Sequence, residues 1–379
     1  MNRVAVIVPH YRQGAYLGRC LDSLLLQTRL PDEIVVVDSS PEETVDIQRQ
    51  YSHRARFLAQ PPQGVAGARN MGMAATTSDL VAFLDADNVA LPDRLERQLG
   101  AFEANRDAIL CHGALVNVDR DGTTYAGLDL HTSTQMPFDR QLGWLISRNQ
   151  IATDTVCVKR EVVAGLGAFC ETQGVREDYD LWLRMAPLGP FQYVDAPLAV
   201  YRRHDTNLSN NEAYMFEWEA GALKRIDWET TSRALQQAFP DESERLVTEG
   251  EVRLRRGEVD LAERHFVWLA RQSKAAGALF HLAHLSITRG MLDNAEALLR
   301  RALNEEPENA ALWNNLGVVL ARNAHSSEAT GAFSHAVDLR PQYEDARQNL
   351  TLLMEGKSGP WRLTRRRLRP QLMPLSAQA

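Results

Sequence analysis

Cysteine is scarce and scattered. Cys20, Cys111, Cys157 and Cys170 are the four in 379 residues, and no two form a CxxC pair. That spacing excludes a zinc ribbon or a dithiol redox motif, and the apolar contexts read as reduced core thiols of a cytoplasmic protein. Long hydrophobic runs are missing too: no stretch of about 18 consecutive apolar residues is present, so no transmembrane helix is expected. Met1-Asn2-Arg3 leads into a short strand rather than the apolar core of a signal peptide. Positive charge is in deficit. The 42 Lys and Arg against 49 Asp and Glu leave a net charge of -7, which offers nucleic acid or an anionic membrane no general attraction. The partner therefore has to be argued from sites. The length exceeds one average core and fits a larger and a smaller domain.

What is present falls into two rhythms. In the first half, Val4 to Val8, Ile34 to Val37 and Leu80 to Leu84 read as strands. Tyr16 to Gln27 sets Leu17, Cys20, Leu21, Leu24 and Leu25 at helical spacing. This βαβ rhythm predicts an α/β domain over residues 1–210, with a largely parallel sheet covered on both faces. Ligands bind such sheets beyond the carboxyl ends of the strands.

The second half shows no strand pattern and repeats itself. Leu279, Leu282, Ala283, Ala295, Leu299, Ala302 and Pro307 recur as Trp313, Leu316, Gly317, Ala329, Phe333, Ala336 and Pro341, each 34 positions on. An earlier copy, Leu246, Gly250, Gly257, Ala262, Phe266 and Leu269, lies 33 positions before Leu279, Ala283, Gly290, Ala295, Leu299 and Ala302. The pattern resembles the tetratricopeptide repeat, whose motif is nearly whole in "WNNLGVVL", "ATGAF" and "AVDLRP". It implies about three stacked helix pairs over 241–354 in an all-α domain. Residues 211–240 read as a connecting helical segment, with the boundary near Phe239-Pro240. Residues 355–379 read as a basic, disordered tail carrying Arg362, Arg365, Arg366, Arg367 and Arg369. That tail is either merely solvated or in contact with an anionic membrane surface or acidic partner.

The chemistry centres on "FLDADNV", where Asp85 and Asp87 follow an apolar run. Residues i and i+2 of an extended chain project from one face, so the two carboxylates can address one ligand. A hard cation such as Mg²⁺ or Mn²⁺ suits them, because it takes few protein oxygens and completes its shell with water and substrate phosphates. The same stretch also reads as the start of the next helix with Asp87 as its cap, although Leu91-Pro92-Asp93 looks more like that start.

The motifs "VAVIVPHYRQGAYLGRCLDSLLLQT", "DEIVVVDSS", "GVAGARNMGMAAT", "DLVAFLDADNVALPDRL", "EDYDLWLRMA" and "PLAVYRRHDTNLS" occur in this order over about residues 3–210. Together they closely resemble the inverting, nucleotide-sugar-dependent glycosyltransferases of family 2, which have the GT-A fold. The resemblance implies roles position by position. Pro9 and Tyr11 would line the nucleotide pocket, and Asp38 would accept a hydrogen bond from the base. Ser39 stands where many relatives carry a second acidic residue. Gly64, Gly67, Arg69 and Asn70 would run under the nucleotide, with Arg69 facing phosphate or base. Asp87 would touch the metal, Asp85 the metal or the donor's ribose or sugar. His204 would be a further metal or diphosphate ligand, and Arg202 and Arg203 phosphate contacts. The Mn²⁺ or Mg²⁺ would neutralise the departing diphosphate.

An inverting transfer is one in-line displacement, so a single carboxylate must take the acceptor's proton. By resemblance that is Asp178, with Glu177 orienting the acceptor. Their place in the first turn of a helix lowers the aspartate's pKa, so proton transfer is expected late and concerted with bond formation. Asp180 is expected to pair or cap, and Trp182 to sit in the core.

The expected function is metal-dependent transfer of one sugar from a nucleoside-diphosphate sugar, uridine being the commonest base in the family. The acceptor is a protein, a peptide or a glycan. The alternative is a tetratricopeptide scaffold whose first domain binds a sugar nucleotide without catalysis. No QxxRW motif marks processive synthesis, and no N-terminal glycine-rich activating loop marks a nucleotidyltransferase. The repeats are expected to engage the acceptor, dock the enzyme or support oligomerisation.

Overall fold

The computed structural model describes residues 2–123, 130–131, 134–172, 176–204, 207, 212–272, 275–341 and 343–365. The chain divides into two compact units, one running through Ala238 and one beginning at Phe239. Strands of the first are β1 (Val4–His10), β2 (Glu33–Asp38), β3 (Arg56–Ala59), β4 (Leu80–Phe83), β5 (Val89–Ala90), β6 (Leu110–Val118), β7 (Leu130–His131), β8 (Cys157–Lys159) and β9 (Phe191–Arg202). Its helices are α1 (Gly14–Leu25), α2 (Val45–Tyr51), α3 (Gly64–Ala75), α4 (Arg94–Ala104), α5 (Phe138–Ser147), α6 (Arg160–Gly165), α7 (Glu177–Met185), α8 (Glu212–Lys224) and α9 (Trp228–Ala238).

The strands form one sheet in the order β3-β2-β1-β4-β8-β6-β9-β5, with β7 paired to β6. Every residue of β1 is buried because both faces are covered. Val4, Val6 and Val8 pack with Leu17, Cys20, Leu21 and Leu24 of α1. Ile7 points the other way and meets α3, where a Cβ on Gly72 would lie 2.5 Å from its side chain. That alternation of faces is why the strand reads as an unbroken apolar run.

The expected largely parallel sheet is mixed. Strands β1 to β4 pair in parallel, but β8 lies between β4 and β6 and runs antiparallel to both. A 3₁₀ turn at Thr153–Thr155 brings the chain back at the edge where β4 ends, so β8 must enter the sheet from that edge. Of the stretch 211–240, expected to connect two domains, the described residues through Ala238 belong to the first unit and Phe239 begins the second. Gly143 of α5 approaches α9 so closely that a Cβ there would meet the Ala234 carbonyl at 2.1 Å, and Arg225 pairs with Asp180 at 2.7 Å.

The second unit is helical: α10 (Glu242–Arg255), α11 (Val259–Leu269), α12 (Ala276–Thr288), α13 (Leu292–Glu305), α14 (Ala310–Arg322), α15 (Ser326–Leu339) and α16 (Glu344–Met354). The sequence repeat has a packing meaning. Phe266 and Phe333 lie against Gly250 and Gly317, where a Cβ would stand 2.4 and 2.5 Å from the rings. Glycine lets each helix pair close to contact. Within the stretch 355–379, expected to be a tail, Trp361 and Leu363 pack on the helices and Thr364 is buried. Arg366, Arg367 and Arg369 lie outside the described residues. All four cysteines are free thiols, and three are buried. Among the described residues no helix is long and apolar enough to cross a membrane.

Candidate active site

Because β1, β2 and β4 are parallel, the residues following them collect at one edge of the sheet. Asp85 and Asp87 follow β4. Their turn is held by Asp154, a residue the sequence reading did not single out: it accepts from the Asp85 N–H at 2.7 Å and from Asn88 Nδ2 at 2.9 Å. Burial, with the charge of Asp85 next, pushes the Asp154 pKa up to about 7.

Asp87 is 5 % exposed. Its Oδ2 accepts from Gln13 Nε2 at 2.7 Å and lies 2.9 Å from His204 Nε2. Burial, reinforced by the charge of Asp85, raises its pKa to about 7 against the opposing pull of Arg202 and Gln13. The result is a buried acidic cluster short of positive charge. Tyr16 supports it from the side: its ring stacks on His204 at 5.4 Å, and the Arg202 guanidinium lies 5.4 Å from the same ring.

Asp85 turns away from this pair. Its Oδ1 accepts from Arg69 Nη2 at 3.0 Å, while Arg69 Nη1 donates to Glu177 Oε1 at 2.7 Å. Among the described residues no group of three His, Cys, Asp or Glu side chains stands ready as a metal cage. The expected trio is thus split, with Asp87 against His204 and Asp85 against Arg69.

Glu177 and Asp178 open α7. Asp178 Oδ2 accepts from Thr153 Oγ1 at 2.9 Å, and Oδ1 accepts from Arg176 Nε at 3.1 Å and from the Tyr179 N–H at 2.6 Å. Burial alone would raise its pKa, but the charges of Arg176 and Arg69 and these hydrogen bonds hold it below the ordinary carboxylate value. Glu177 goes the other way: burial and the charge of Asp178 raise it, although Arg69 pulls it down. Neighbouring residues Thr153 and Asp154 therefore brace both halves, one holding Asp178 and the other the Asp85 turn.

The other residues expected to meet the nucleotide have these surroundings in the protein. Asp38 is 3 % exposed, its Oδ1 accepting from His10 Nδ1 and the Ser40 N–H, both at 2.9 Å, and its Oδ2 from the Thr44 hydroxyl. His10 Nε2 accepts from the Gln13 N–H at 3.2 Å, which leaves Nδ1 to carry the proton given to Asp38. Burial raises the Asp38 pKa, but the His10, Thr44 and Ser40 donors outweigh it and hold it low. Asp38 thus fixes the turn carrying Gln13, and its oxygens face protein donors. Pro9 is buried in β1 opposite Val37, and Tyr11 is half exposed. Gly64 opens α3 with φ +86°, a left-handed conformation that suits glycine. Asn70 staples a loop, donating to the Phe169 carbonyl and accepting its N–H, both at 2.9 Å. Arg202 is buried and donates to the Arg120 carbonyl at 2.9 Å.

Comparison with known proteins agrees with this architecture. Residues 5–163 match the family model Glycosyl transferase family 2. An uncharacterized glycosyltransferase of Haemophilus influenzae is 27% identical over 185 residues, 48% of this chain and 61% of its own. The amylovoran biosynthesis glycosyltransferase AmsE of Erwinia amylovora is 27% identical over 184 residues, 46% of this chain and 65% of its own. The chain thus spans less than two thirds of the length of these relatives. The crystal structure of S. aureus TarS 1-349 in complex with UDP-GlcNAc is similar with a TM-score of 0.50 at 13% identity, covering 94% of this chain and 92% of that one. Over residues 5–163 the first unit is therefore similar to glycosyltransferase family 2, and its mixed-sheet fold is like that of GT-A enzymes.

Proposed function

We propose that this chain is a metal-dependent inverting glycosyltransferase, moving a sugar from a nucleoside-diphosphate sugar, of the UDP class, to a nucleophile of a protein, peptide or glycan acceptor. The observation that carries the reading is the division of the carboxylates. Asp87 sits in an acidic pocket short of positive charge, whereas Asp178 is held ionised by Arg176, Thr153 and its own helix.

The donor side fits a hard divalent ion. A buried carboxylate whose charge the protein leaves undercompensated gains most from a cation, and Mn²⁺ or Mg²⁺ needs only one or two protein ligands beside phosphate oxygens. Asp87 and His204 are the residues that would hold it. When bound, the ion stabilises the negative charge of the departing diphosphate. Arg69 holds Asp85 and Glu177 to one guanidinium and so keeps donor and acceptor groups in fixed relation. On the acceptor side Asp178 Oδ2, with one donor against the two on Oδ1, is the oxygen left to take a proton. Its lowered basicity makes that proton move late, as the new bond forms. Glu177 positions the acceptor hydroxyl.

The helical unit is read as tetratricopeptide repeats serving acceptor engagement. Support comes from the recurring Gly–Phe contacts and from the 34-residue offset between copies. A test is release of nucleoside diphosphate from UDP-, GDP- and TDP-sugars with Mn²⁺ present. Release from one donor class is expected. Binding of a donor with no turnover in the presence of any acceptor tried would favour the scaffold reading instead.

A further inference from the structure

The 3₁₀ turn at Thr153–Thr155 rests on a support that is buried throughout. Gln98 Nε2 donates to the Thr155 carbonyl at 2.8 Å. Arg94 Nη2 donates to the Phe83 carbonyl at 2.8 Å and to the Val156 carbonyl at 3.3 Å, so α4 ties the turn to the end of β4. The Thr155 hydroxyl closes the turn on the Ala152 carbonyl at 2.8 Å. Arg94, Gln98 and Thr155 have no exposed surface, and a side chain projecting from so packed a platform keeps a fixed place.

That side chain is Asp154, and both of its oxygens face donors: the Asp85 N–H at one and Asn88 Nδ2 at the other. Asn88 carries the link further. Its N–H bonds the Asp85 carbonyl at 3.0 Å, closing the turn that presents Asp87, and its Oδ1 accepts the Arg202 N–H at 2.9 Å. Arg202 ends β9 just ahead of His204. Through Asn88, then, Asp154 is joined to both stretches of chain that bring Asp87 and His204 together at 2.9 Å. Asp154 and Asn88 are 5 % and 1 % exposed, so a mismatched pair has no water to turn to and bears the full cost of an unmade hydrogen bond.

Resting on the metal-dependent reading of this site, we propose that Asp154 is a positioning residue for the donor side. By accepting from Asp85 and Asn88 together it sets the relation of Asp87 to His204, and the affinity for a divalent ion and its diphosphate depends on the direction of the Asp154–Asn88 hydrogen bond. Asp154 acts through these neighbours and holds no ligand itself.

Hydrogen-bond polarity supplies the test. Asparagine at 154 has one acceptor where two donors face it, so either orientation of its amide sets N–H against N–H. Asn88→Asp alone makes the opposite error, carboxylate against carboxylate. The double variant Asp154→Asn with Asn88→Asp reverses the bond, keeps the net charge, and leaves the second oxygen of residue 88 for the Arg202 N–H. Calorimetry of the full chain with UDP, with and without Mn²⁺ and with no acceptor, reads the outcome. Each single variant is expected to weaken Mn²⁺-dependent UDP binding by about tenfold or more, and the double variant to return to within about threefold of wild type. Binding of UDP without Mn²⁺ should change by less than about threefold in all three, a split that general loss of structure would not produce. If added negative charge were what governs the ion, Asn88→Asp would bind more tightly than wild type, and that result overturns the proposal. So does a double variant no better than Asp154→Asn. Should a single variant fail to fold by circular dichroism, the double variant still decides, because it must fold and bind as wild type does. Failed rescue with wild-type binding intact refutes the positioning alone; successful rescue with no turnover of any donor refutes the transfer reading alone; a wild type without Mn²⁺-dependent UDP binding refutes both.

Discussion

Arg69 and Glu177 are 108 positions apart in sequence and meet at 2.7 Å, through the same guanidinium that reaches Asp85 at 3.0 Å. Arg69 is almost wholly buried, so its charge and those of its partners compensate one another away from water. Removing one member of such a set leaves the others uncompensated. Arg69→Leu is expected to lower stability by about 3 kcal/mol in chemical denaturation. Arg69→Lys recovers part of this, because an ammonium lacks the fork that serves two carboxylates. A loss under about 0.5 kcal/mol for Arg69→Leu, the range of a surface change, would refute the bridge.

The acidic pocket gives the metal-free protein a distinctive pH dependence. Asp87 and Asp154 have folded pKa values raised to about 7, so below that pH the native state holds protons that the unfolded chain has released. Their contribution to stability is full below about pH 4 and is lost as pH rises toward 7. Asp38 and Asp178 act oppositely, because their lowered values add stability that disappears only on acidification below the ordinary carboxylate pKa. The thermal midpoint of metal-free protein should therefore fall between pH 5 and 7.5 by an amount that Asp87→Asn reduces. Mn²⁺ should restore it mostly at the upper end. Equal stabilisation of Asp87→Asn and wild type by Mn²⁺ would remove Asp87 from the metal site.

Asp178 and Glu177 are separable by substitution. Asp178→Asn keeps the Thr153 contact but cannot take a proton, and is expected to slow transfer by about 100-fold or more with nucleotide affinity unchanged. Glu177→Gln should raise the acceptor KM more than it lowers kcat. Transfer by Asp178→Asn within tenfold of wild type would mean another group is the base.

Much of this arrangement is legible in the sequence, and the reason lies in burial. Strands β1, β2 and β4 read as apolar runs because helices or neighbouring strands cover them on both faces. β8 has three residues, and β9 is half-buried or exposed at every position through Gln192–Pro197, with a bulge near Pro197, so neither leaves a clean pattern. The carboxylates Asp85, Asp87 and Asp178 are visible through their motifs. Their supporting partners are not. Gln13 reaches Asp87 across 74 positions and Asp154 reaches Asp85 across 69, and no local periodicity marks a contact that only the folded sheet creates. The repeat is legible in the same way, while the packing of Trp361 and Leu363 on its helices is not.

The repeat's glycines yield a pair of substitutions with opposite signs. Gly317 and Gly331 both lie inside helices, where alanine is favoured over glycine by about 1 kcal/mol. At exposed Gly331 a Cβ would meet nothing within 4 Å, so Gly331→Ala should raise the stability of the helical unit by about 0.5–1 kcal/mol. At Gly317 it would stand 2.5 Å from Phe333, whose ring is fully buried and backed by Trp361 at 6.0 Å. The ring has nowhere to withdraw, so overpacking outweighs the helix gain and Gly317→Ala should lose about 1–2 kcal/mol. Denaturant unfolding of the two variants followed by far-UV circular dichroism measures both shifts. Because helix propensity contributes equally to each, a difference in sign isolates the Gly317–Phe333 contact, and a common sign would deny that contact its part in holding the helix pair together.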